Sequence, residues 1–435
     1  MPALMIKEKP RRYKKTSGTD IPEHLLARLW QRRAARQAWF QSQGGPKVRV
    51  LYPGRASHAA GPDFRNALLE VEGMGLVQGD VEIHVRQQDW SSHGHGQDPR
   101  YNGVVLHAAL EVQSPSTELQ SGQSAPVISL APLLDVPVEA GNRSGQVLWD
   151  ILARHGYPRP HRVSAIGDLL DRAGDQRFLA KSRQFQGFLQ EQGPDQTLYE
   201  GLMEGLGYHQ NQHPFILLAQ RASYQTVAVA AQRLPVEQRA QCIEAWLIQV
   251  SGLLSKPLIG ETSFKPAGKP PGTPPGLGPS LDRRAWHCFR VRPANHPLRR
   301  IAGAAGLLAR FLEPGLVAGL GEAADTRSTK KLASALTVVG GRSSGAATVG
   351  QGRARDLAVN VVLPFLHALA VKEGHPGAGE AFLDLYRRFP KLQENELTRE
   401  MARQLLPPAW RPEVKGARRQ QGLLHLHQLL SGFPA

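Results

Sequence analysis

Asp63 follows Pro62, and after eighteen intervening residues Glu82 and His84 alternate with Val81, Ile83 and Val85. In an extended strand, side chains two positions apart share a face, so Glu82 and His84 point the same way. Two carboxylates brought together on neighbouring strands suit a divalent cation with oxygen ligands, such as Mg²⁺ or Mn²⁺. His84, one step along, is placed to position or deprotonate an attacking water. A second set of donors follows closely: Asp89, His93, His95, Asp98, Tyr101 and His107. Two histidines flanking Gly94, joined by His107 or Asp98, are of metal-ligating type. Plainer roles stand beside each of these. Asp63 can cap a turn, Glu82 can sit in a structural salt bridge, and loop histidines can be solvated or brace the backbone. Trp90 and Tyr101 read as packing residues, with stacking on a base as the alternative.

These residues need a sheet to converge. From Pro22 the apolar residues Leu25, Leu26, Leu29, Trp30, Ala34, Ala38 and Trp39 recur at helical spacing. Ile21-Pro22-Glu23 reads as the helix start, where the dipole favours an acid such as Glu23, and Gly44-Gly45-Pro46 as its stop. The period then changes to two. Strands are expected at 48–52, 64–71, 76–85 and 104–112, with a fifth at 126–134. A turn at Gly73–Gly75 makes the second and third strands neighbours, which carries Asp63 towards Glu82.

That order of elements resembles the PD-(D/E)xK, or restriction-endonuclease-like, phosphodiesterase superfamily. Its core is a helix, three strands with Asp entering the second and Glu-x-Lys on the third, then a helix and another strand. Here the motif reads Pro62-Asp63 and Glu82-Ile83-His84, with Glu23 as an acid on the preceding helix. His84 stands where the superfamily has Lys, so the permanent positive charge beside the water is missing. The chain from about 21 to 430 is also similar to the bacterial family known as domain of unknown function 2851. The matching residues include Gly61-Pro62-Asp63-Phe64, Gly79-Asp80-Val81-Glu82-Ile83-His84, Asp89-Trp90, His93-Gly94-His95, Asp98, Tyr101 and His107. Gly207-Tyr208, Asn211, Arg292-Pro293-Ala294-Asn295 and Asn360 to Pro364 fit it further on. That resemblance implies kinship and no activity.

Beyond residue 143 the periodicity is helical almost throughout. The expected fold is α+β: a restriction-endonuclease-like α/β core followed by a mostly α-helical C-terminal region. The expected divisions are a basic tail at 1–20, the α/β domain at 21–142, and helical regions at 143–255 and 286–435. A Pro/Gly-rich linker or loop at 256–285 lies between the helical regions. No twenty-residue apolar run or secretory pattern stands out, so a cytoplasmic protein without a membrane partner is expected.

Charge is unevenly spread. The chain has 53 Lys and Arg against 37 Asp and Glu, a formal net charge of +16. Residues 21–140 hold ten basic and twelve acidic residues, together with six of the 16 histidines. The surplus therefore belongs to the tail and the helical body, as expected if a site is held beside a polyanion-binding surface. Arg-rich composition alone gives the same total. Arg283, Arg284, Arg292, Arg299 and Arg300, near Trp286, are the candidate nucleic-acid contacts, with a solvated helical face as the alternative.

Several chemistries find no footing. Two cysteines build no disulfide framework. No GxxxxGK[ST], HExxH or strand-borne GxGxxG occurs, and a GxSxG match at Ser343 lacks a following helix. The leading reading is a metal-dependent nucleic-acid phosphodiesterase, with Asp63 and Glu82 on Mg²⁺ or Mn²⁺ and His84 assisting the water. A non-catalytic nucleic-acid-binding or scaffold protein is the alternative. A metal-dependent hydrolase of a small substrate, built on the His cluster, is a third.

Overall fold

Leu26 and Trp30 are one helical turn apart and fully buried on one side of helix α1 (Glu23–Arg33). An eleven-residue helix is marginal alone, whereas burying two such side chains contributes about 1.5–3 kcal/mol each. Docking therefore holds α1, and the Trp30 indole N–H fixes its rotation by donating to the Pro53 carbonyl at 2.9 Å. The computed structural model describes residues 23–42, 44–57, 61–134, 143–253, 272–288, 291, 293–339 and 347–430. The expected basic tail, Arg292 and Ser343 lie outside them.

Eight strands form the sheet: β1 (Phe40–Gln41), β2 (Lys47–Tyr52), β3 (Arg55–Ala56), β4 (Phe64–Val71), β5 (Gly75–Arg86), β6 (Val104–Glu111), β7 (Ser116–Glu118) and β8 (Ser124–Ser129). Their order is β1-β2-β4-β5-β6-β8-β7, with β3 paired to β4. β2, β4 and β5 make an antiparallel meander, while β5–β6 and β6–β8 are parallel. The fifth expected strand is shorter than its apolar run. β8 ends at Ser129, and Ala131–Leu133, carrying Pro132, turn as a 3-10 helix.

Parallel β5 and β6 need a crossover. The superfamily resemblance implies a full helix there. The chain has instead the single turn α2 (Asp89–Ser92) and 3-10 turns at His95–Gln97 and Pro99–Tyr101. Gly94 at φ 75° and Pro99 explain the interruption. Strand alternation then gives β5 two different faces. Val81 and Ile83 join Leu26, Trp30, Phe64, Leu69 and Leu106 in the main core. Trp90, Tyr101, Val104, Leu119 and Ala125 form a smaller apolar cluster, in ring contact with the histidines described below.

The chain divides into two compact units, Met1–Ser144 and Gly145–Ala435. The second is helical. One core joins Leu198, Phe215, Ile243 and Trp246 to Ile301, Leu308, Phe365 and Tyr386. The helical regions 143–255 and 286–435, divided in the sequence by the Pro/Gly-rich segment, thus share their interior. In the described part of the Pro/Gly-rich segment, the Gly278 N–H donates to the Arg221 carbonyl at 2.7 Å. The N–H of buried Leu281 donates to the Val250 carbonyl at 2.8 Å. That part is a strap laid on the helices. The helical run Gln351–Lys372 is long and apolar enough to cross a bilayer, with mean hydropathy 1.4, but 72% of its apolar window is buried in the interior. It contributes Leu357, Val362, Leu363 and Phe365 to this unit's core.

Candidate functional site

The site begins with a bulge. Asn66 adopts φ 54°, and the β4–β5 register shifts between Phe64 and Ala67. Bulges of this kind re-aim the residues at a strand end. Asp80 holds this one: its Oδ1 accepts the Asn66 N–H at 3.1 Å and its Oδ2 takes the Arg65 guanidinium at 2.5 Å. Phe64 then pairs with Val81, which sets Asp63 beside Glu82.

The two acids are locked reciprocally. The Asp63 N–H donates to Glu82 Oε2 at 2.9 Å, and the Ile83 N–H donates to Asp63 Oδ2 at 3.1 Å. Glu82 is 4% exposed. Burial, then the charges of Asp63 and Glu23, push Glu82 up to about 9, against the Asp63 N–H and Arg65. Burial pushes Asp63 up to about 6, opposed by the Ile83 N–H. Burial, then Asp63 and Asp89, push Glu23 up to about 7. Arg65, which offsets part of this for Glu82, is already paired with Asp80. Three carboxyls packed close together, with little cationic relief, thus hold their protons above the usual carboxylate range.

On the same β5 face lies a histidine network. His84 is fully buried, with Nδ1 3.0 Å from His107 Nε2, and His107 Nδ1 is 2.8 Å from Thr117 Oγ1. His84 Nε2 is buried with no hydrogen-bond partner. It lies 3.8 Å from Glu82 Oε1, which is 3.3 Å from His95 Nε2. Ligand atoms of His84, His93 and His95 all fall within 4.8 Å of one another. The Tyr101 ring stacks on His95 with centroids 4.0 Å apart, and Trp90 packs against His95 and His107. Burial, then His107, His95 and His93, push His84 down to about 2. Burial and then His93 push His95 down to about 4, and burial and then His95 push His107 to about 4. His84, His95 and His107 are thereby held in the neutral form, each with one ring nitrogen able to accept.

The structure brings Glu23, Asp63, Glu82, His84, His93 and His95 together. It sorts the remaining candidates differently. His107 stands behind His84 as its hydrogen-bond partner and is not in the group of three. Asp98 is taken up by Arg100, accepting its N–H at 3.0 Å and its Nε–H at 2.9 Å. Asp89 accepts the Arg86 N–H at 3.2 Å, closing the start of α2. Trp90 donates its indole N–H to the Glu118 carbonyl at 3.1 Å, and both Trp90 and Tyr101 are buried. Sequence reasoning passed over Thr117 and named Asp80 only within a family-matching segment, without a role. Thr117 is the one buried position of β7, whose alternation spans only three residues and so gives little signal.

The basic set of the C-terminal unit is mixed. Arg300 is 5% exposed and spends its guanidinium on the Thr348 carbonyl, Asn295 and the Tyr208 hydroxyl. It is an interior residue, which corrects its reading as a phosphate contact. Arg299 donates to the Ala347 carbonyl and Arg283 to the Leu253 carbonyl. Arg284 is exposed. Trp286 is buried, donates to the Ser251 carbonyl at 2.8 Å and packs edge-on to Phe215. A cleft of about 400 Å³ in this unit, lined by Tyr157, Arg172 and His425 among others, shares no residue with the acid and histidine cluster.

No curated protein and no solved structure matches the chain. The sequence model of a family described as a protein of unknown function, DUF2851, matches residues 23–395, which takes in the whole acid and histidine cluster and most of the helical unit. The chain belongs to the DUF2851 family.

Proposed function

We propose that the N-terminal unit is a metal-dependent nucleic-acid phosphodiesterase of PD-(D/E)xK type, with Asp63 and Glu82 as cation ligands and Glu23 as a third carboxylate. The observation that carries this reading is the reciprocal lock between Asp63 and Glu82. Buried acids left without a counter-charge are costly, and their oxygen-only donor set fits a hard divalent cation. The order of elements supports it too. Asp63 enters β4, Glu82 and His84 lie on β5, and β6 follows.

A bound Mg²⁺ or Mn²⁺ supplies charge to the scissile phosphate and acidifies a coordinated water. The chain's own residues do the rest. Backbone donors at Asp63 and Ile83 hold both carboxylates in place without neutralising them. His84, fixed by His107, would present Nε2 as an acceptor to water in the tautomer that donates from Nδ1, but offers no permanent charge. A polyanionic substrate agrees with the formal +16.

Full-length protein incubated with DNA and RNA oligonucleotides and Mg²⁺ or Mn²⁺ tests this. Cleavage is expected from the wild type and should fall to background in Asp63→Asn and Glu82→Gln. Equal cleavage by all three proteins would sink the mechanism. Salt-sensitive binding without cleavage in either metal would favour the non-catalytic alternative, for which the replacement of the superfamily's Lys by His84 already speaks.

A further inference from the structure

We propose that His84, His93 and His95, with Oε1 of Glu82 as fourth donor, form a separate site for a Zn²⁺-class transition-metal cation. This site is chemically distinct from the oxygen-only one, although the two share Glu82 and His84, so a cation held here takes the His84 Nε2 that the cleavage reading gives to water. The donor chemistry separates them. Imidazole nitrogen selects borderline metals such as Zn²⁺, Co²⁺ or Ni²⁺ over Mg²⁺, while the Glu23 and Asp63 side offers oxygen alone. Glu82 faces both. Its Oε2 accepts from the Asp63 N–H, and its Oε1 lies 3.3 Å from His95 Nε2 and 3.8 Å from His84 Nε2.

Those separations are near the ~3.4 Å edge expected between ligands about 2.0–2.1 Å from a tetrahedral Zn²⁺. The three histidine donors lie within 4.8 Å of one another, and His93, the exposed member, can close the remainder by side-chain rotation. The hydrogen-bond relay points the same way. If His84 donates from Nδ1 to His107 Nε2, then His107 carries its proton on Nδ1 and donates to Thr117 Oγ1. That direction leaves a lone pair at His84 Nε2, the atom buried without a partner. The opposite direction leaves an N–H there, 3.8 Å from Glu82 Oε1, which is too far for a hydrogen bond. Metal-ligating histidines characteristically donate their second nitrogen to a supporting group in this manner. The Tyr101 ring, stacked on His95, fixes the plane of a second ligand.

The test is Co²⁺ titration of the metal-stripped full-length protein, read by visible d–d absorption and by metal content after dialysis. The expected result is one tightly held Co²⁺ or Zn²⁺ that a millimolar excess of Mg²⁺ fails to displace. Absorption should be lost in His93→Ala and His95→Ala, whose parent residues are exposed or half-buried, and retained in Asp63→Asn. Absorption that survives both histidine substitutions overturns the proposal. So does absorption lost in Asp63→Asn but not in the histidine variants, which would place the cation among the carboxylates. Because the readout is absorption rather than turnover, failure here and failure of the cleavage reading are told apart.

Discussion

His84 and His107 sit on adjacent parallel strands with Nδ1 and Nε2 3.0 Å apart, and Thr117 closes the chain behind them at 2.8 Å. All three are buried. The orientation of His84 is therefore set by a residue of the short strand β7, more than thirty positions along the chain.

Thr117→Val keeps the shape of the side chain and removes its hydroxyl. His107 Nδ1 is then buried without a partner, at an expected cost of about 1–3 kcal/mol. Urea melts should show the loss, and Thr117→Ser should recover most of it. A Val variant as stable as the wild type would mean that the relay does not hold the rings.

Glu82→Gln retains an acceptor for the Asp63 N–H while removing the charge. Folded Glu82 keeps its proton up to about 9, whereas the ordinary carboxyl releases it near 4.5. Between those values the folded state binds more protons, so stability falls as pH rises. In EDTA the variant should melt higher than wild type at pH 8, by about 2–6 °C, with the gap narrowing towards pH 5. A constant gap would contradict a buried, protonated Glu82.

Asp80→Ala strips the Asn66 N–H and the Arg65 guanidinium of their acceptor. The expected loss is about 1.5–3 kcal/mol, the range for hydrogen bonds to charged groups. Amide exchange should quicken first at residues 64–67, where the bulge depends on it.

Arg300 and Arg284 should behave oppositely. Arg300→Ala removes bonds to Asn295, Tyr208 and the Thr348 carbonyl and should lower the melting temperature markedly. Arg284→Ala, on an exposed side chain, should stay within about 0.5 kcal/mol of wild type. Any effect of Arg284→Ala on nucleic-acid affinity is then read without a folding term, and its salt slope reports phosphate contact.

Gly94→Ala meets no atom within 4 Å of the added Cβ, so its cost is the left-handed backbone alone. About 1–2 kcal/mol is expected, seen as lower protection of the amides between α2 and the following 3-10 turn.

Much of the architecture was legible in local pattern. Alternation at residues 64–71 and 76–85, with the Gly73–Gly75 turn, was enough to make β4 and β5 neighbours and to put Glu82 and His84 on one face. Pro62-Asp63 at the strand entry then had few other places to go. These are short-range consequences of a period of two and a tight turn. What only the tertiary structure decided depends on contacts that no period encodes. His84 rather than His107 joins His93 and His95, because His107, on the neighbouring parallel strand β6, spends its Nε2 on His84 Nδ1, and the broken crossover brings the loop pair to His84. Arg300 looked like a surface cation and is an interior one, since a basic side chain carries no sign of what its helix packs against. The Pro/Gly-rich segment read as a linker or loop; Leu281 pins its described part to the helices, and one core joins the regions on either side. Local residue order placed the acids; the register of distant strands and the route of the crossover chose their partners.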